Sequence, residues 1–284
     1  MSSAKKETER VPCPACGARD ACPFHVERGW RYVRCRRCRT VYLSPRPTSQ
    51  GVRDHYRDYL PEDPEAIRDW ERSQKPLILR AVRLLARRLP PGASVLEVGS
   101  GYGFLGAALI ESGLKAEGVE ISPTGIRHAR ALGLDVHRGT LEELALPGDR
   151  FHALCGFYVI EHLDDPAGFL REARRVLRPG GLLVLRWPQT APLIRWCRFL
   201  GLRYDLYDAP SHLTDFTPES LAGLLRRCGF TAIETRTAGS TRPPGMIPRV
   251  AGILGAFLGE ALFFLSRKRF LAPGASKTTI AVKG

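Results

Sequence analysis

Two hydrophobic periods alternate along most of this chain. Short, nearly continuous apolar runs occur at residues 94–99 (SVLEVG), 116–122 (AEGVEIS), 134–140 (LDVHRGT), within 151–163 (FHALCGFYVIEHL), and at 181–188 (GLLVLRWP). Two more follow at 231–238 (TAIETRTA) and 277–284 (KTTIAVKG). Runs of this length predict buried strands. Between them lie stretches with helical spacing: 104–113, 123–133, 166–181 and 217–230. The last opens with Thr217 and Pro218 and stops at Gly229, a helix with a start and an end. Strands separated by helices predict βαβ units and a mainly parallel sheet. Upstream, residues 52–89 carry apolar positions at 78, 82, 85 and 89 with arginines between them, a helix closed by Pro90-Pro91-Gly92. Residues 1–10 read as a disordered tail, 11–50 as a small module, 51–90 as a helical linker or cap, and 91–284 as an α/β domain.

The module is set apart by its chemistry. Cys13 and Cys16 form one C-x-x-C pair, Cys35 and Cys38 another, with 18 residues between the pairs. Four thiolates in that spacing make a closed structural zinc site, with no open position for catalysis. Cys22 and His25 lie between the pairs and either could replace a ligand; the other reading makes them loop residues near the site. The start of the chain is polar, with nothing resembling a secretory signal, so a cytoplasmic protein with reduced cysteines is expected. Net charge is +14, and residues 1–50 hold 11 Lys and Arg against 4 Asp and Glu, half of that surplus. Such a head suits phosphates, nucleic acid or anionic lipid, or serves only solubility.

Residues 95–106 (VLEVGSGYGFLG) contain two overlapping glycine patterns. Gly99, Gly101 and Gly103 follow Glu97 as E-x-G-x-G-x-G, whereas Gly101, Gly103 and Gly106 spell the G-x-G-x-x-G of dinucleotide folds. Both place a tight turn before a helix N-terminus. Glu97 distinguishes them, because a carboxylate at the end of the strand suits an ammonium and opposes a pyrophosphate. Glu120, 23 residues later, can accept hydrogen bonds from ribose hydroxyls under either pattern.

With VLEVGSGYG, GVEIS, YVIEHLDDPAGFLREARRVLRPGG and HLTDFTPESLAGLLRRCGF in view, the chain resembles the class I S-adenosylmethionine-dependent methyltransferases, closest to the bacterial group of ubiquinone-type O-methyltransferases. Its head resembles the zinc ribbon of relatives of sugar C-methyltransferases. The resemblance implies a Rossmann-like seven-stranded, mainly parallel sheet with a reversed last strand. It assigns Glu97, Gly99, Gly101, Tyr102 and Gly103 to the methionine side of S-adenosylmethionine, Glu120 and Ile121 to the ribose, Thr140 and Leu141 to the adenine, and Phe157 and Tyr158 to the surroundings of the methyl group. Two positions depart from the family. Gly139-Thr140-Leu141 stands where an acidic residue usually follows the third strand, with Glu142 as a substitute. His152 replaces the usual Asp before the fourth strand.

Methyl transfer from a sulfonium is an in-line displacement that depends on positioning, and a protic acceptor calls for a base. His212 and His162 are the candidates, ahead of Tyr207 and Tyr204, with Tyr158 beside the methyl group. The acceptor is read as a small molecule: a sugar, a quinone-like ring or a lipid-linked metabolite. RNA, gripped by the basic zinc module, is the alternative; an NAD-dependent oxidoreductase and a non-catalytic binder are two others. Residues 250–265 are apolar except for Glu260 and precede Arg267-Lys268-Arg269. They read as a buried helix or, within 247–270, as a peripheral membrane contact.

Overall fold

The computed structural model describes residues 8–202, 205–237, 258, 261–263, 265–266, 271–272 and 276–284. The N-terminal segment forms β1 (Thr8–Glu9), β2 (Ala21–Glu27), β3 (Trp30–Cys35), β4 (Val41–Leu43) and β5 (Arg46–Pro47). Two helices follow, α1 (Ser49–Arg57) and α2 (Pro64–Ala86). Within 52–89 the α2 helix begins only at Pro64, because Asp63 caps it by accepting the Ala66 N–H at 2.8 Å and Pro64 occupies its first turn. Leu77, Ala81 and Leu85 are its buried face, and it packs on α3 (Phe104–Glu111).

The remaining elements run in the expected alternation: β6 (Ser94–Val98), α3, β7 (Lys115–Glu120), α4 (Pro123–Ala131), β8 (Asp135–Arg138), β9 (Phe151–Phe157) and α5 (Pro166–Val176). They continue as β10 (Leu177–Trp187), α6 (Ala191–Phe199), β11 (Thr214–Asp215), α7 (Pro218–Arg227), β12 (Phe230–Thr237) and β13 (Lys277–Lys283). Seven of these strands form one sheet in the order β12-β13-β10-β9-β6-β7-β8. Its pairs are parallel except those of β13, which runs against both β10 and β12. The reversed last strand is therefore present. His152, at the departure from the family pattern, ties two central strands: its Nδ1 accepts the Ser94 N–H at 3.1 Å.

Within the stretch 1–10, read as a disordered tail, Thr8 and Glu9 instead form β1 and pair with Pro47 and Arg46, and three further details differ from the sequence reading. The helix read over 166–181 stops at Val176, since Pro179 disfavours helical backbone before it. Leu177 already pairs with Phe151, and the ladder slips at the following Pro-Gly-Gly before resuming at Leu182. The α6 helix was not anticipated. Its N-terminal amides, Thr190 and Ala191, donate to the buried Asp215 carboxylate, a cap distant in sequence. Third, the N-terminal module is not a separate bead. β11 extends its sheet to β11-β4-β3-β2, with Thr214 opposite Tyr42 and Asp215 opposite Val41. Cys13, Ala15, Cys35 and Tyr42 share one buried cluster with Leu221, Leu224 and Leu225 of α7. Tyr32 stacks on Tyr207 with ring centroids 4.2 Å apart. The apolar stretch 250–265, its basic end and Tyr204 lie wholly or mostly outside the described residues. No described helix is long and apolar enough to cross a membrane.

Candidate active site

A cavity of about 700 Å³ opens at the C-terminal ends of β6, β7 and β9, the end at which open α/β sheets bind ligands. Glu97, Gly99, Gly101, Tyr102, Glu120, Ile121, Thr140, Phe157 and Tyr158 all line it, as do His162 and His212. The side chain of Leu141 does not; it is buried in the core below. Gly103 is the cap of α3, in left-handed backbone.

The glycine turn is shaped for close approach. Gly101 has φ +52°, and a Cβ there would meet no protein atom within 4 Å, so the backbone presents a bare surface to the cavity. Gly106 has a different task. A Cβ would come within 2.6 Å of Leu134, so this glycine lets α3 pack on its neighbours. Its N–H donates to Glu97 Oε2 at 3.0 Å. The carboxylate of Glu97 thus occupies the helix start where a dinucleotide fold would seat its pyrophosphate.

Glu97 is 6% exposed, and no ion pair neutralises it among the described residues. Burial pushes its carboxyl up to about 8; the Gly106 N–H pulls it back and the Glu120 charge adds to the rise. A buried, uncompensated carboxylate in a cavity wall fits an ammonium ligand. Glu120 accepts from Gly101 N at 2.7 Å and from Ile121 N and Ser122 N at 2.8 Å. It therefore clamps the glycine turn to the start of α4, with Oε2 making one of these bonds and Oε1 two. Where the resemblance expects the adenine, the Thr140 N–H is taken by Glu143 at 3.1 Å. Glu142 and Glu143 both line the cavity, and burial raises the Glu142 carboxyl. These residues fit S-adenosylmethionine at both ends.

The other end of the cavity holds Tyr56, Glu161, His162 and His212. His162 Nδ1 lies 2.5 Å from Tyr56 Oη and 2.9 Å from the Ser211 carbonyl oxygen. Burial, aided by His212 and His55, pushes its imidazole down to about 3. His212 packs edge-on against it at 4.9 Å and is lowered more mildly, by burial opposed by the charges of Asp208 and Glu27. One ligand atom from each of Glu161, His162 and His212 lies within 4.8 Å of the others, a geometry that could also hold a cation. Tyr158 Oη accepts from Arg186 Nε at 2.9 Å. Tyr207 is fully buried, donates to Asp215 and lies away from the cavity, so it is not a base for this site.

Sequence reasoning missed the contribution of the linker. Tyr56, Tyr59, Leu60 and Trp70 form one wall of the cavity. Tyr56 lies in the last turn of α1 and Tyr59 two residues past its end, so no single helical period marks this wall. The linker is clasped in place by Tyr102 Oη donating to Pro61 O at 2.7 Å and by Glu62 pairing with Arg127.

In the module, Cys13 Sγ lies 3.4 Å from Cys38 Sγ, Cys16 Sγ lies 3.6 Å from Cys35 Sγ, and all four sulfurs fall within 4.8 Å. Tetrahedral zinc with bonds of about 2.3 Å sets sulfurs about 3.8 Å apart, which this cluster matches. Cys22 and His25 are strand residues of β2, neither of them in a loop, and are turned to Arg34 O and Glu27.

A methyltransferase-domain family model matches residues 70–235. A ubiquinone biosynthesis O-methyltransferase of Xanthomonas campestris pv. campestris (strain B100) is 31% identical over 202 residues, covering 65% of this chain and 84% of the relative. Among solved structures, an S-adenosylmethionine-dependent methyltransferase of Thermotoga maritima, described as a possible histamine N-methyltransferase, is 21% identical. It covers 78% of this chain and 95% of its own, with a TM-score of 0.53. Phosphoethanolamine N-methyltransferase 2 of Haemonchus contortus, solved with S-adenosyl-L-methionine, is 17% identical, covering 86% and 62%, with a TM-score of 0.55.

Proposed function

The chain belongs to the methyltransferase-domain family and is an S-adenosylmethionine-dependent enzyme, and from that premise we propose that it methylates an oxygen of a small, quinone-like acceptor. One observation carries this reading: a single cavity joins the Glu97–Glu120 cradle to a buried His–Tyr–Glu cluster behind an aromatic wall. Bound S-adenosylmethionine supplies a methyl group on a sulfonium, whose C–S bond breaks as the C–O bond forms.

The protein's part is to orient and to take a proton. Tyr56, Phe157 and Tyr158 would flank the acceptor ring and exclude water. His212 takes the hydroxyl proton, because its side chain makes no hydrogen bond among the described residues and burial keeps it neutral at physiological pH. His162 is the weaker base, with Nδ1 already engaged, and holds the loop. His212→Ala is expected to lower kcat by about 10²- to 10⁴-fold without changing the S-adenosylmethionine-induced rise in thermal midpoint. Because the His212 pKa is lowered, its neutral form persists below pH 6.5, and wild-type turnover should stay flat across neutral pH and fall only in more acid solution. Unchanged turnover in the variant would remove His212 from the mechanism.

The four-cysteine cluster holds a structural zinc ion in this reading. The RNA alternative has one observation in its favour. A shallow groove on the module is lined by Arg10, Arg19, Arg31 and Arg198 and by no acid. On that reading, a gel shift with single-stranded RNA should weaken by at least tenfold between 50 and 200 mM salt. An absent shift at low salt dismisses it.

A further inference from the structure

Glu161 is the buried group for which the mechanism above has no use. It follows β9 in a tight turn, and its backbone carbonyl is fixed by the N–H groups of Leu213 at 2.8 Å and Thr214 at 3.0 Å. The residue is 1% exposed, yet it lines the cavity. Neither carboxyl oxygen has a hydrogen-bond partner among the described residues. The nearest basic atom, His162 Nε2, is 3.8 Å from Oε1, beyond hydrogen-bonding distance. Buried carboxylates are otherwise paired or hydrogen-bonded, so an orphaned one in a cavity wall marks the place of a ligand's donor.

We infer that Glu161 is the specificity-determining residue for the acceptor, receiving a hydrogen bond from a donor group beside the oxygen that is methylated. The inference rests on the proposed acceptor reading and adds to it. Glu161 and His212 lie close enough to serve two groups of one molecule: the reacting hydroxyl at His212 and a second donor, a hydroxyl or an ammonium, at Glu161. The surroundings favour a donor over another acceptor. Both flanking imidazoles are held neutral and Asp215 adds negative charge, opposed by the residue's own backbone N–H and by Arg186. Without a ligand the carboxyl is driven up to about 8, chiefly by burial, and a hydrogen-bond donor would return it to the ionised form.

A residue kept for a ligand is a liability in the free protein. Glu161→Leu, of similar volume, is therefore expected to raise the thermal midpoint of the free protein by about 2–5 °C. The same variant should lose at least 100-fold in transfer of labelled methyl groups from S-adenosylmethionine into an acid-soluble metabolite extract. Its S-adenosylmethionine-induced stabilisation should remain. Glu161→Gln keeps a lone pair at the same place. Activity of a tenth or more in that variant identifies a hydroxyl donor, and loss as deep as in Glu161→Leu identifies an ammonium. A lower midpoint or an insoluble Glu161→Leu protein makes the residue structural and overturns the inference. So does a magnesium or zinc titration that stabilises wild type and not Glu161→Leu, which would assign the carboxylate to a cation. A wild type that transfers no methyl group counts against the acceptor reading itself, and the stability comparison then decides on Glu161 alone.

Discussion

On the proposal that the four cysteines hold zinc, its removal is expected to lower methyl transfer by more than 100-fold while leaving S-adenosylmethionine binding measurable. The module's sheet reaches into the active site. Val41 and Tyr42 of β4 pair with Asp215 and Thr214, Leu43 N donates to Leu213 O at 2.9 Å, and Tyr32 Oη donates to the His212 carbonyl at 2.9 Å. The His212–Asp215 segment is therefore held from the module side, and Asp215 in turn caps α6. Structural zinc contributes on the order of 10 kcal/mol to the folding of small zinc peptides, comparable with the whole margin of a typical domain. Without it, four thiols and the short strands around them cannot keep β4 in register, and His212 loses its place. Glu97 and Glu120 lie on β6 and β7, held by the large sheet, and keep their positions. The measurement combines zinc release by a chelator, about one ion per chain, with methyl-transfer rate and the S-adenosylmethionine-induced thermal shift. Purified protein without metal, or undiminished activity after zinc release, would contradict the expectation.

The second large effect belongs to Glu97. Glu97→Ala should weaken S-adenosylmethionine binding by about 10- to 100-fold, the value of one buried charge-assisted hydrogen bond of about 1.5–3 kcal/mol. NAD should bind neither protein. Isothermal titration with both ligands checks this, and a gain in NAD affinity in the variant would show that the G-x-G-x-x-G pattern was the operative one. The same residue leaves a mark on pH dependence. Its carboxyl stands near 8 in the free protein against 4.5 for a free side chain, so the unfolded state gives up its proton first as pH rises. The stability it contributes is complete below pH 4.5 and is lost as pH climbs toward 8. In Glu97→Gln the fall in thermal midpoint over that window should be shallower than in wild type, though not abolished, because Glu161 titrates over the same range.

The strands, the helices between them and the cofactor end of the site were readable in the sequence because each depends on local order. A strand followed by E-x-G-x-G needs only its own residues to place Glu97 at the helix start. The acceptor end was only half readable. His162 and His212 could be named, but Tyr56 reaches His162 from more than 100 residues away in the chain, and no local period announces such a meeting. Glu161 could not be singled out from the sequence, since an unsatisfied carboxylate is a property of surroundings and not of spacing. The module's cysteines were legible, and its join to the domain was not. The shared strand that joins it to the domain is two residues long and polar, below the reach of any hydrophobic pattern.

That shared strand also orders events during synthesis. β2, β3 and β4 leave the ribosome early and can gather metal as a hairpin and a half, but Tyr42 waits for Thr214, roughly 170 residues later, before the sheet is complete. Until then β4 is an open edge, with unpaired backbone groups exposed to any other extended chain nearby. The nascent protein thus spends most of its translation with an incomplete edge strand, which makes the interval between β4 and β11 the stage at which mispairing is most costly.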